Sequence, residues 1–296
     1  MRAASVARPA RPLRCASGRR RGVPRSFLRF RPPRAATVDV SGSERAGEGK
    51  VYLIGAGPGG VDNLTVRALR LLRACDVLVY DDLGASDIVD EAPDAEKVYV
   101  GKRGGASGSW KQPDIDALLV RLCLEGRVVA RLKGGCPSVL SRAHSELDAL
   151  DAAGCARELV PGVSSALAAP LSADIVLTEK TVGRHFSVAS AHDPDALDFT
   201  AFAGIDTCVF LMVGRTLEKV VQRLGMSRDE GGAGVPGDVP AAAIRWGCTE
   251  RETTFRSTLE GIGDATRGEE LSPCVLVVGR VAAGVRGREK PGEREG

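Results

Sequence analysis

From residue 50 onward, short apolar runs alternate with amphipathic stretches. VYLI (51–54) has the length and composition of a buried strand, and it runs into a Gly-rich loop ending at Gly60. In the next stretch Leu64, Ala68, Leu71, Leu72 and Cys75 fall on one helical face, with Arg67, Arg70 and Arg73 off it. Asp62 or Asn63 is the expected cap of that helix. DVLVYDD predicts a second strand ending near Asp81, and VYVGK (98–102) a short third one. Asp114 opens a helix that turns Ile115, Leu118, Leu119 and Leu122 inward. RVVARLKGG (127–135) predicts a strand entering another Gly turn. Residues 143–153 have helical spacing, and ELVPGVSSA predicts a strand, a turn and a helix start.

After Thr181 the pattern changes. HFSVAS, TCVFLMV, AAAIRW, TTFRSTL and CVLVVGRV are strand-like, with helices expected at 216–225 and 259–266. The expectation is an α/β protein with two domains. Strict strand–helix alternation predicts a mainly parallel sheet in residues 50–180, and the later strand-rich run predicts a mixed sheet in 181–283. Residues 228–239 are a loop rich in Gly, and 284–296 have the composition of a disordered tail.

Charge divides the chain unevenly. Residues 1–36 hold 11 Arg and no acid, leaving 30 basic against 38 acidic side chains in the remainder. The net +3 is therefore a property of the head, and the acidic body offers little to a nucleic acid. The head is rich in Arg, Ala, Pro and Ser, the composition of an organelle transit peptide, and residues 1–49 are expected to be leader and linker. A chloroplast address is favoured over a mitochondrial one, and a basic tail for RNA or an acidic surface is the plain alternative. No apolar run approaches the roughly 18 residues of a membrane span. Eight Cys without a CxxC pair and three His argue against a zinc or disulfide framework.

In a parallel sheet, ligands gather at the C-terminal strand ends. The loops of interest are therefore 55–60, 81–83, 134–138 and 161–166. Gly55-x-Gly57-x-x-Gly60 has dinucleotide spacing, and Asp81 stands where a ribose-binding acid would. Pro58, however, removes a backbone donor from a loop that would have to grip a pyrophosphate. A nicotinamide-type oxidoreductase, another ligand and a purely structural tight turn all remain open on this loop alone.

The downstream motifs narrow the choice. VYLIGAGPGG with Asp62, Leu64 and Thr65, then VVARLKGGCPSV with Ser141 and Arg142, then ELVPGVSSA and VLT (176–178), occur in that order. With FLMVGRTLE, AAAIRWGCTERETTFRSTL and SPCVLVVGRV they resemble the tetrapyrrole methylase family over about residues 50–282. The resemblance is to its uroporphyrinogen-III C-methylating branch, to which RLKGG points. It implies a homodimer of two-domain chains, with S-adenosyl-L-methionine as methyl donor in the cleft between domains and no metal. It implies methylation of uroporphyrinogen III at two ring carbons to precorrin-2, toward sirohaem or cobalamin.

By the same resemblance, the donor contacts fall on Pro58, Gly134, Gly135, Cys136, Ser164, Ser165, Ala166 and Met212. Substrate contacts fall on Gly59, Lys133, Arg142 and Glu146, and Arg142 is implied in proton removal. A substrate with many carboxylates also calls for cations at strand ends. Lys102, Arg103, Lys133, Arg142, Arg184 and Arg245 are the candidates. Three positions depart from the family pattern: Gly60, Cys136 and Ser145 stand where it carries acids. His144 is a candidate base. The departures leave room for a protein that binds a tetrapyrrole or the adenosyl donor with weakened catalysis.

Overall fold

Two five-stranded sheets organise the chain, and their strand ends meet. The computed structural model describes residues 49–82, 88–101 and 110–284, all within one compact unit. The expected leader, Lys102, Arg103 and the expected tail from 285 onward lie outside the described residues.

The first sheet contains β1 (Lys50–Gly55), β2 (Val77–Tyr80), β3 (Glu96–Tyr99), β4 (Val128–Lys133) and β5 (Ala156–Val160), in the order β3-β2-β4-β1-β5. Every pairing is parallel, as the strand–helix alternation predicts. Side chains alternate between two apolar layers. Tyr52, Ile54, Leu78, Ala130 and Leu132 pack on one face, and Val51, Leu53, Val77, Val79 and Val129 on the other. Helix α1 (Val66–Leu72) covers the first layer with Ala68, Leu71 and Leu72; α2 (Gln112–Leu124) and α3 (Ala143–Ala152) cover the second. Each large aliphatic side chain buried this way stabilises the fold by about 1.5–3 kcal/mol.

The second sheet contains β6 (Phe186–Ser190), β7 (Thr207–Leu211), β8 (Pro240–Arg245), β9 (Thr253–Thr258) and β10 (Cys274–Gly279), in the order β6-β7-β10-β8-β9. Only β6 and β7 pair in parallel, so the sheet is mixed. One face, which carries Phe210 of β7, packs on α5 (Leu217–Gly225) and on Phe199 and Phe202. The other receives Ala166 and Ala169 of α4 (Ser165–Ser172).

Three boundaries differ from expectation. Asp62 and Asn63 sit in a 3-10 turn (Val61–Asn63), and Thr65 is the cap of α1, its hydroxyl accepting from the Ala68 amide at 3.1 Å. β3 begins earlier than VYVGK because the Glu96 amide already bonds Asp76. The second late helix shrinks to α6 (Ile262–Ala265), flanked and interrupted by Gly261 and Gly263, poor helix residues.

Candidate functional site

Three of the loops at the C-terminal ends of the first sheet, those after β1, β4 and β5, are tied to one another through bare backbone. Gly57 and Gly135 exchange amide–carbonyl bonds at 3.1 Å each, joining the β1 and β4 loops. A Cβ on Gly55 would stand 2.5 Å from the Gly162 amide nitrogen and 2.7 Å from the Gly135 carbonyl oxygen. Glycine is thus required there by close approach of three chains. The β1 loop closes on itself through Asn63, whose amide donates to the Pro58 carbonyl at 2.7 Å.

The second sheet contributes from one edge. β8 and β7 are both antiparallel to β10, so they run in the same direction and release Met212 and Trp246 on the same side. The turn after β8 reaches the first sheet's loops. A Cβ on Gly59 would collide with the Cys248 carbonyl oxygen, and one on Gly247 would stand 2.5 Å from Ala169 Cβ. The turn is pinned by Glu252, which accepts from the Cys248 amide at 2.7 Å and from the Ser172 hydroxyl at 2.6 Å. Arg251 stacks on the Trp246 ring, 3.6 Å from its centroid.

Strain marks the same rim. Leu140, Arg142, Met212, Trp246 and Cys248 all hold left-handed backbone, with φ of 52°, 57°, 60°, 52° and 64°. Non-glycine residues occupy this region at a cost, and such residues concentrate at ligand sites. Met212 is 45% exposed immediately after the fully buried strand β7, so an apolar thioether is held open at the cleft.

The expected donor residues Pro58, Gly134, Gly135, Cys136, Ser164, Ser165 and Ala166 come from the joined loops and the start of α4; Gly59 meets the Cys248 turn, and Met212 follows β7 at the strand ends that release that turn. Ser164 is nearly buried and its hydroxyl caps α4 by accepting from the Ala166 amide at 3.2 Å, so it shapes the turn. Cys136 is half-buried with its sulfur 3.0 Å from the Ser138 hydroxyl. Burial raises its thiol pKa. The Ser138 hydroxyl and the amides of Gly162 and Ser138 outweigh that and hold it below the ordinary thiol value.

The expected substrate residues divide. Arg142 is exposed at the head of α3, and no hydrogen bond or ion pair is made by its side chain among the described residues. Lys133 and Glu146 are turned beneath the surface onto each other, Nζ donating to both carboxylate oxygens at 2.8 Å. They are 5% and 0% exposed, so neither presents a charge to a ligand as the sequence reading expects. Burial, together with the Arg131 charge, pulls the Lys133 pKa below the usual lysine value against the pull of Glu146. Arg184 precedes β6, at the opposite end of the parallel β6–β7 pair from Met212, and Arg245 is engaged by Glu269 at 2.8 Å. His144 is exposed on the first turn of α3. Ser145 donates to Asp116, an interior contact of α3 with α2.

The sequence reading misses the Trp246–Cys248 turn, which joins the site only through the fold, and the partner of Asp81. Asp81 lies in one of the loops of interest and follows β2. Its carboxylate is 27% exposed and accepts from Arg131 Nη2 at 3.1 Å. Among the described residues no group of three or more His, Cys, Asp or Glu is arranged to hold a metal ion.

A family model described as tetrapyrrole (corrin/porphyrin) methylases matches residues 50–263. The chain is 43% identical over 237 residues to the uroporphyrinogen-III C-methyltransferase of Synechococcus elongatus, a match covering 79% of this chain and 93% of that protein. It is 38% identical over 250 residues to the siroheme synthase of Chromobacterium violaceum, covering 82% of this chain and 51% of that longer protein. Among solved structures, the uroporphyrin-III C-methyltransferase of Thermus thermophilus complexed with S-adenyl homocysteine superposes with a TM-score of 0.64 at 31% identity, over 79% of this chain and 98% of that one.

Proposed function

The chain belongs to the tetrapyrrole (corrin/porphyrin) methylase family, and from that premise we propose that its cleft transfers methyl groups from S-adenosyl-L-methionine to ring carbons of uroporphyrinogen III, yielding precorrin-2 on the sirohaem route. The observation that carries this reading is the convergence on one cleft of the Gly57–Gly135 bridge, the start of α4, exposed Met212 and the Trp246–Cys248 turn.

The donor's sulfonium supplies an already activated methyl. The protein therefore has to align sulfur, methyl and ring carbon, which a rigid cleft does by removing translational and rotational freedom. Backbone loops without side chains admit the adenosyl group closely, and Met212 offers a polarizable wall. As the ring carbon–methyl bond forms, the sulfur–methyl bond breaks and the demethylated donor leaves with the electron pair. The methylated macrocycle must then lose a proton. Asp81 is the strand-end carboxylate placed to accept it, held by Arg131. Gly60, Cys136 and Ser145 stand at family acid positions, and in this proposal Asp81 carries the step without them. Among the described residues, Arg142 is a cation left open for a substrate carboxylate.

A homodimer is part of the proposal. Leu167 and Leu171 lie four residues apart on α4 and are exposed, as are Val163 in the loop that leads into α4, Leu159 on edge strand β5, and Phe186 and Val188 on edge strand β6. Exposed apolar side chains on a helix and on two edge strands suit a second copy. Leu167→Glu with Leu171→Glu yields a monomer in light scattering if this face is the interface; an unchanged mass places the interface elsewhere. Delivery to a plastid is likewise proposed, on the Arg-rich, acid-free head that precedes the family match at residue 50.

The test is methyl transfer from labelled S-adenosylmethionine to enzymatically generated uroporphyrinogen III. Labelled precorrin-2 supports the reading. Donor binding with no labelled product would leave a binding protein of the same fold.

A further inference from the structure

Four charges at the end of β4 form a network that runs from the interior to the cleft. Arg131, Lys133 and Glu146 are 3%, 5% and 0% exposed. The two cations share the α3 side of the central strand because residues 131 and 133 are two apart. Glu146 meets them from the first turn of α3, where the helix dipole favours a carboxylate. Its Oε1 accepts from Arg131 Nε at 3.1 Å, and both its oxygens accept from Lys133 at 2.8 Å. The same Arg131 fork donates from Nη1 to the Leu132 carbonyl at 2.9 Å and from Nη2 to Asp81 Oδ2 at 3.1 Å. These four groups are two cations and two carboxylates, and Asp81 is the only one of them that reaches solvent appreciably.

We infer that Glu146 and Lys133 are positioning residues that act through Arg131 on the Asp81 carboxylate, and that neither touches the macrocycle. An apolar trio would fill the same space without the cost of removing charges from water, so stability alone gives little reason for the cluster. Arg131 is held at three acceptors, which fixes the plane of its fork and with it the position of Asp81 Oδ2. Glu146 holds the Nε edge of that fork. Lys133 neutralises Glu146 so that the buried carboxylate does not claim the whole guanidinium. Replacing Glu146 with Gln keeps an oxygen for Nε but leaves two buried cations beside Asp81, which then pull its carboxylate inward. This inference rests on Asp81 being the proton acceptor proposed above.

The test uses the full chain, with methyl transfer to uroporphyrinogen III counted per S-adenosylhomocysteine-binding site. Glu146→Gln is expected to lower kcat about tenfold, with the porphyrinogen KM and the S-adenosylhomocysteine Kd within about twofold of wild type. Adding Lys133→Met restores the charge balance and is expected to recover at least about threefold of the lost kcat. Should Glu146→Gln not fold, Arg131→Lys reads the same claim: it keeps the charge but loses the fork, and kcat is expected to fall about tenfold with binding intact. A raised KM at unchanged kcat overturns the inference in favour of direct substrate contact. A lower melting temperature with unchanged kcat per site, or no recovery in the double variant, reduces the network to a structural one. If wild type is active and Asp81→Asn is equally so, the positioning claim fails while the methyltransferase reading stands. If wild type transfers no methyl, that reading fails and takes this one with it.

Discussion

Gly59 and Cys248 meet backbone to backbone: a Cβ on Gly59 would run into the Cys248 carbonyl oxygen. This contact joins the first loop of one sheet to the β8 turn of the other. Gly59 also has φ +80°, which an L side chain adopts at a cost. Gly59→Ala is therefore expected to destabilise the fold by about 2–4 kcal/mol and weaken S-adenosylhomocysteine binding at least about tenfold. Gly126 is the control, with φ +81° and nothing within 4 Å of where a Cβ would stand. Gly126→Ala should lose only about 1 kcal/mol, with donor affinity unchanged. Denaturant unfolding and calorimetric titration of both variants check the pair.

Met212 combines a left-handed backbone with an exposed side chain, two features that cost stability and are retained together. Met212→Gly relieves the backbone strain, so the unfolding free energy should stay within about 1 kcal/mol of wild type or rise. Donor affinity should nevertheless fall about tenfold as the thioether wall is lost. Unchanged affinity in that variant would remove Met212 from the site.

Arg142 reaches outward with no hydrogen bond or ion pair among the described residues, whereas Arg131 and Arg245 are both held by carboxylates. Arg142→Ala should raise the porphyrinogen KM about tenfold, as expected for losing a charge-assisted hydrogen bond worth roughly 1.5–3 kcal/mol. S-adenosylhomocysteine binding should not change. Equal loss of both would place Arg142 in general cleft architecture.

The cysteines differ in reactivity in a direction set by their surroundings. Burial raises Cys75 and Cys123 to about 11 and Cys274 to about 12, whereas hydrogen-bond donors hold Cys136 below the ordinary thiol value. A lower pKa means more thiolate at a given pH, and the thiolate is the nucleophile. Alkylation with iodoacetamide at pH 8 should mark Cys136 well before those three, its rate levelling off at lower pH than that of an unperturbed thiol. S-adenosylhomocysteine should protect it. Peptide-resolved mass spectrometry reads both outcomes, and labelling of Cys136 unaffected by ligand would move it out of the cleft.

Much of this was legible in the residues because local pattern determines it. In the first sheet β1, β2 and β4 follow from buried β-branched and aliphatic runs, and the Gly loops after β1 and β4 follow from their ends. The α1 cap falls at Thr65 and not at Asp62 or Asn63 because those two close a 3-10 turn (Val61–Asn63) and the helix starts only at Val66, a boundary that depends on how the loop closes. Lys133 and Glu146 each looked like a ligand-facing charge. Only the docking of α3 across β4 shows that they neutralise one another. Asp81 lost its dinucleotide meaning and gained another from Arg131, a neighbour supplied by strand order and not by sequence. The Trp246–Cys248 turn could not be read into the site at all, since its partner Gly59 belongs to the other sheet.

The most direct measurement is the crystal structure of the chain with S-adenosylhomocysteine. The account predicts the ligand lodged between the Gly134–Cys136 loop, the start of α4 and Met212, with its sulfur turned toward the Asp81 side of the cleft. A ligand bound elsewhere, or a cleft closed by the chain's own side chains at saturating ligand, would contradict it.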